Sequence, residues 1–333
     1  MYKRQTYDRL RIDDNSIHRI LEQAKQCGAM VSVHAENHEM ITKKVKELLD
    51  NDCMHPKYHT ASHPVDGEVD AFKRIIRMSE ETKQPVMIFH VSSEKGLNEI
   101  KKGKSRGVHF FSETCTQYLS LNSSLLDRTN IKEAAKWICS PPVRDQSDSE
   151  ALWRGIEEKT LDLVSSDHAP YSFDEKGKFF MGNNPSFKEI PNGMPGLHWR
   201  LPIILNEVLK KQCNLDLHDF VRITSTMPAK IYGLYPKKGE IKIGSDADIT
   251  IWNKDKKITL LAFAKPGGGI GARGFNALSL SYKYFFGVVW LQLAKKFDSA
   301  IPPIPSEQFF KNCLRLLKDE FFNNNCLYNS LSS

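Results

Sequence analysis

Residues 31–37, "VSVHAEN", open as a short apolar run and close on an imidazole, a carboxylate and an amide. A strand covered on both faces reads as a near-continuous apolar run. Polar groups gathered where that run stops point to a site rather than to a core. The arrangement recurs: "PVMIFH" stops on His90, and "LDLVSSDH" runs into Asp167 and His168. Helical patterns separate these runs. "DDNSIHRILEQAKQCG" has a capping acid, apolar residues at helical spacing and a glycine stop. "VDGEVDAFKRIIRMSEETK", "SSEKGLNEIKKGKSRG" and "EALWRGIEEKT" repeat the pattern. From Asp13 to about Gly244 helix and strand alternate, the signature of a parallel α/β architecture. In a (β/α)8 barrel the carboxyl ends of the strands carry the chemistry.

The strand ends supply His34, His90, a turn read over "ETCTQY" (Glu113 to Tyr118), and Asp167. Two imidazoles and a carboxylate are donors that suit a cation such as zinc. "CSPPVRD" (Cys139 to Asp145) and "PNG" (Pro191 to Gly193) read as rigid loops able to offer backbone donors and acceptors to a polar substrate. Taken singly, each residue has an ordinary explanation. A histidine at a strand end is commonly satisfied by the core, Asp167 could cap a helix, and Asn192-Gly193 is a common turn pair. Cys115 and Cys139 read as buried, inert thiols. Ligand-type residues at several strand ends together favour a metal site.

Composition excludes several classes. A 40% hydrophobic content in 333 residues suits a soluble globular protein of one large or two modest domains. The net charge of +7 is spread among interspersed acids and bases, so no nucleic-acid footprint is expected. Seven cysteines without a CxxC pair argue against a disulfide framework or zinc knuckle and fit a reducing, cytoplasmic setting. "MYKRQTYDRLRIDDN" has no apolar stretch and is not a secretory signal. "YFFGVVWLQLA" is shorter than the roughly 20 apolar residues of a membrane helix, so no membrane partner is expected. Gly269, Gly271 and Gly274 fit GxGxxG but lack the helix and acidic residue that a dinucleotide site needs.

In order and spacing, "TYDRLRIDD", "VSVHAEN", "FHVSS", "SETCTQYL", "WICSPPVRD", "LVSSDHAP", "IPNGMPG" and "TSTMPAKIYGLYPKKGEIKIGSDADITIW" resemble the hydantoinase and dihydropyrimidinase family of metal-dependent cyclic amidohydrolases. The resemblance runs from about Thr6 to Trp252. It implies a two-zinc site that opens a hydantoin or dihydropyrimidine ring with a metal-activated hydroxide, and a homotetramer for an intact member. It implies that His34, His90 and Asp167 are metal ligands and that Asp167 also serves as general base. It implies that Tyr7 stabilises the oxyanion and that Ser140 and Asn192 bind the amide edges of the ring, largely through backbone groups. Allantoinase, dihydroorotase and the non-catalytic dihydropyrimidinase-related proteins are the neighbouring possibilities. "ETCTQYL", "CSPPVRD" and "IPNG" favour the hydantoinase branch, and the presence of His34, His90 and Asp167 counts against a non-catalytic relative.

The family pattern also calls for a His-x-His pair and a carboxylated lysine that bridges the metals. No His-x-His occurs in the chain, and the lysine's place falls on Tyr2, with Lys3 one residue out of register. The expectation is therefore a partial barrel, with strands 5–8 and a stub of strand 4, over residues 1–235. A β-sandwich return segment is expected over 236–260 and an unrelated tail over 261–333. The chain is expected to be an inactive fragment, with "MYKRQ" a foreign scar.

Overall fold

The protein is described by a computed structural model over residues 11–253, with short strand pieces at 258–259, 281–282 and 285–287. Tyr7, the GxGxxG glycines and most of the expected tail lie outside the described residues. The chain divides into two units, Met1–Glu240 with Trp252–Gly287, and Ile241–Ile251 with Val288–Ser333. The candidate site belongs to the first.

Its centre is a parallel sheet of four short strands, β1 (Val31–Val33), β2 (Val86–Ile88), β3 (Phe111–Cys115) and β4 (Leu163–Ser165), in sequence order. Val33 pairs with Ile88, Ile88 with Ser112, and Cys115 with Ser165. The carboxyl ends of all four strands therefore lie along one edge. β2 is buried throughout. Val86 and Ile88 enter the main core, while Met87 joins Phe89, Leu163 and Ile231 on the opposite face. Cover on both faces explains why this strand reads as an unbroken apolar run.

Helices α1 (Asp14–Cys27), α2 (His38–Asp50), α3 (Tyr58–Ser62), α4 (Val65–Thr82), α5 (Glu94–Ser105), α6 (Thr116–Ser120), α7 (Ile131–Ala135) and α8 (Gln146–Glu157) fall before β4. After it come α9 (Arg200–Leu209), α10 (Leu217–Val221) and α11 (Met227–Ile231). Local chemistry sets their ends. Asp13 accepts from Ser16 N at 2.8 Å and starts α1; Gly28, at φ 66°, stops it. Ile17, Leu21 and Ala24 form the buried face of α1. Ser93 caps α5, and Asp145 with Asp148 forms a capping box on α8. Gly155 lets α8 approach α5: a Cβ there would come within 2.7 Å of Leu97.

The expected alternation is present, with two corrections. "ETCTQY" is not a turn, because its first three residues finish β3 and the rest opens α6. The segment after "VSVHAEN" is also helical. Asn37 caps α2 by accepting from Glu39 and Met40 N, and Ile41 and Val45 bury its inner face.

Candidate active site

His34 follows β1 directly, His90 lies just past β2, and Asp167 just past β4. His90 and Asp167 take φ values of 41° and 39°. Non-glycine residues seldom adopt this region, and holding one there costs about 1–3 kcal/mol. Both residues turn the chain sharply off its strand. Nδ1 of His34 then lies 2.8 Å from Nε2 of His90, with both rings buried and edge to face. On the other side of the His34 ring, Nε2 is 3.0 Å from Oε2 of Glu36. That is an ion-pair distance. Burial alone would push the Glu36 carboxyl up. The neighbouring His63, His34 and Arg144 outweigh it and hold Glu36 down to about 2. Glu36 is thus a buried anion behind the paired histidines.

A second group stands beside it. Nδ2 of Asn192 donates to Oγ of Ser140 at 2.9 Å, and that hydroxyl lies 3.4 Å from Nε2 of His63. Arg144 fixes His63 by donating to its carbonyl at 2.6 Å, and donates to Ser92 Oγ at 3.2 Å. Tyr118 Oη donates to Pro141 O at 2.7 Å, which holds the loop carrying Ser140. The loop carrying Asn192 is tied to the end of β4: Ala169 N donates to Met194 O, and Nδ1 of His168 accepts from Gly196 and Leu197 N. His168 is therefore a loop tether. A cavity of about 370 Å³ opens beside Asn192, lined by His59, His63, Tyr171 and Phe187 among others. Cys115 and Cys139 are buried, and burial raises the Cys139 thiol to about 11, so it is not ionised near neutrality.

Glu36, His63 and Arg144 received no role from the sequence. Glu36 had a local signal, a carboxylate two residues beyond a strand-end histidine. His63 and Arg144 had none, since their partners are distant in the chain.

The donors present fit one side of a metal site. Two imidazole nitrogens face each other, yet among the described residues no group of three histidine, cysteine or acidic side chains gathers to hold an ion. Zinc takes three or four protein ligands. The described residues therefore do not make a complete metal centre, and no chemical step is assigned through one.

The model of the amidohydrolase family matches residues 7–272. The chain belongs to the amidohydrolase family. The match extends beyond Trp252, to residue 272. The proteins it is similar to include D-hydantoinases and a dihydropyrimidinase. The D-hydantoinase of Rhizobium radiobacter is 36% identical over 249 residues, which cover 75% of this chain and 53% of that protein. The solved D-hydantoinase from Bacillus sp. AR9 superimposes with a TM-score of 0.73 at 35% identity, covering 78% of this chain and 56% of that one. The dihydropyrimidinase from Brevibacillus agri gives 0.73 at 33% identity, covering 78% and 55%. The amidohydrolase fold is thus of the TIM-barrel α/β type, and the chain spans about half the length of the curated relatives it matches.

Proposed function

We propose that this amidohydrolase chain carries the ring-binding residues, and part of the ion-binding residues, of a hydrolase that opens cyclic amides such as hydantoin or dihydropyrimidine. The observation that carries the reading is the pairing of His34 Nδ1 with His90 Nε2 at the carboxyl edge of the sheet, with the Ser140–Asn192 pair nearby. A cyclic amide presents alternating N–H and C=O groups. The Ser140 hydroxyl and the Asn192 amide can each donate and accept, so they complement such an edge. Asp167 leaves the same strand edge and is the group that would move the proton to the leaving nitrogen. Tyr7 would meet the oxyanion. His34, His90 and Asp167 would contribute to holding zinc in a complete site, where the ion supplies an acidified water. The described strands would correspond to the last four of a barrel.

Titration calorimetry of the chain with hydantoin tests this reading. Saturable binding that Ser140→Ala and Asn192→Ala each weaken supports it. Heat-free titration, or binding that neither substitution changes, contradicts it.

A further inference from the structure

Lys178 is fully buried, and among the described residues Lys136 is the one other buried lysine. Lysine is among the residues least often found fully buried without a charged partner. Among the described residues no carboxylate pairs with this one. Its Nζ instead donates to the carbonyls of Ile138, at 2.9 Å, and Pro191, at 2.7 Å. Those carbonyls lie just ahead of Ser140 and Asn192 in their respective loops. Gly193 N donates to the same Ile138 carbonyl at 3.0 Å, so the two loops meet at this point. Tyr171 closes the site, with its ring centroid 5.8 Å from Nζ.

The local sequence is built to send Lys178 inward. Ser172 Oγ donates to Asp174 Oδ1 at 2.6 Å, and that oxygen also accepts from Lys176 N at 2.9 Å. Lys178 N then donates to Ser172 O at 2.9 Å, which closes the turn. Gly177 is required there, since a Cβ would fall 2.0 Å from Ser172 O. Phe179 anchors the next position edge to face against Phe173, at 4.9 Å between ring centroids. A buried cation is costly, and an apolar side chain of the same length would fill the volume without that cost. It would leave the Pro191 carbonyl without this donor. Burial draws the Lys178 amine down to about 7, yet a neutral amine still has two hydrogens for two carbonyls.

We infer that Lys178 is a positioning residue: by holding the Ile138 and Pro191 carbonyls together, it sets Ser140 and Asn192 at the spacing that receives the substrate ring. The inference rests on the reading of Ser140 and Asn192 as ring-binding residues. Lys178 touches neither side chain in this role and is not catalytic.

The test is Lys178→Met in the full chain, read by two probes. The first is the side-chain amide NMR signal of Asn192, with the methyl signals of Ile88 and Ile100 as core controls. The substitution should move the Asn192 signal toward those of the exposed Asn183 and Asn184 while both methyls stay in place. The second is hydantoin affinity, which should fall about tenfold, the size expected for losing one good hydrogen-bonded contact. An unmoved Asn192 signal overturns the inference. A wild-type chain that does not bind hydantoin sinks the ring-binding reading instead, and the Asn192 signal then judges the clamp alone. Should the variant not fold, the wild-type Lys178 Nζ protons decide: slow exchange supports the clamp, and exchange as fast as that of surface lysines overturns it.

Discussion

Replacing Arg144 with methionine should cost about 3–5 kcal/mol of stability, the range for leaving a buried charge without its partner. Arg144 is buried between two carboxylates. Its charge lowers both Glu36 and Glu68. Glu68 also accepts from Ser92 N at 2.7 Å, from Ser92 Oγ at 3.0 Å and from Ser93 Oγ. Burial outweighs these helpers, so the Glu68 carboxyl still sits above its usual value of 4.5. Methionine would remove the guanidinium and its bonds to His63 O and Ser92 Oγ while keeping most of the volume. The sign of the pH effect follows from linkage. A carboxyl raised in the folded state binds protons there that the unfolded chain has already lost, so ionised Glu68 costs stability, and the cost lifts as pH falls. Removing Arg144 raises Glu68 further. The deficit should therefore be largest near pH 7 and shrink toward pH 5. Urea unfolding of the wild type, Arg144→Met, Glu68→Gln and the double variant would measure it. Coupling between the two sites should return part of the loss in the double variant. A deficit below about 1 kcal/mol, or one equal at both pH values, would refute the reasoning that Arg144 neutralises the buried carboxylates.

Gly193→Ala should destabilise the chain by about 1–3 kcal/mol, as overpacking does, because its Cβ would fall 2.5 Å from the Ala169 carbonyl. A urea midpoint unchanged from wild type would show that the loop yields freely. Lys178 gives a second pH effect of opposite origin. Burial lowers its amine from 10.5 to about 7, so between those values the unfolded chain holds the extra proton and stability gains with rising pH. Lys178→Met should lack that gain when urea midpoints at pH 7 and pH 10 are compared with wild type, and equal gains in both proteins would contradict the burial of the amine.

Much of the fold was legible because a parallel α/β chain writes its layers into the sequence. β2 reads as unbroken apolar residues since both its faces are covered, and α1 and α5 carry their caps in Asp13 and Ser93. The edge holding His34, His90 and Asp167 could be read from the same rule, since parallel strands end together. Asn37, Ile41 and Val45 announce α2, but Asn37 also ends the polar stretch after β1, so its capping role is masked in the sequence. The polar residues of "ETCTQY" look like loop chemistry, yet Thr114 donates to Val91 O and Glu113 accepts from Ser165, so these two are partnered at the strand edge. The contacts that bring His63 and Arg144 to Glu36 could not be read. Arg144 reaches His63 across 81 residues, and no local pattern records such a contact.

The proposed reading is that the chain carries ring-binding residues and that its described residues hold part of an ion-binding set. Ring opening of dihydrouracil by the purified chain in zinc-supplemented buffer, beside an Asp167→Asn control, tests it most directly. With two converging imidazoles and no third ligand grouped with them among the described residues, bound water is not acidified toward neutrality. The account predicts turnover indistinguishable from the control. Turnover well above it would contradict the account and would mean that a full set of ligands assembles around His34 and His90.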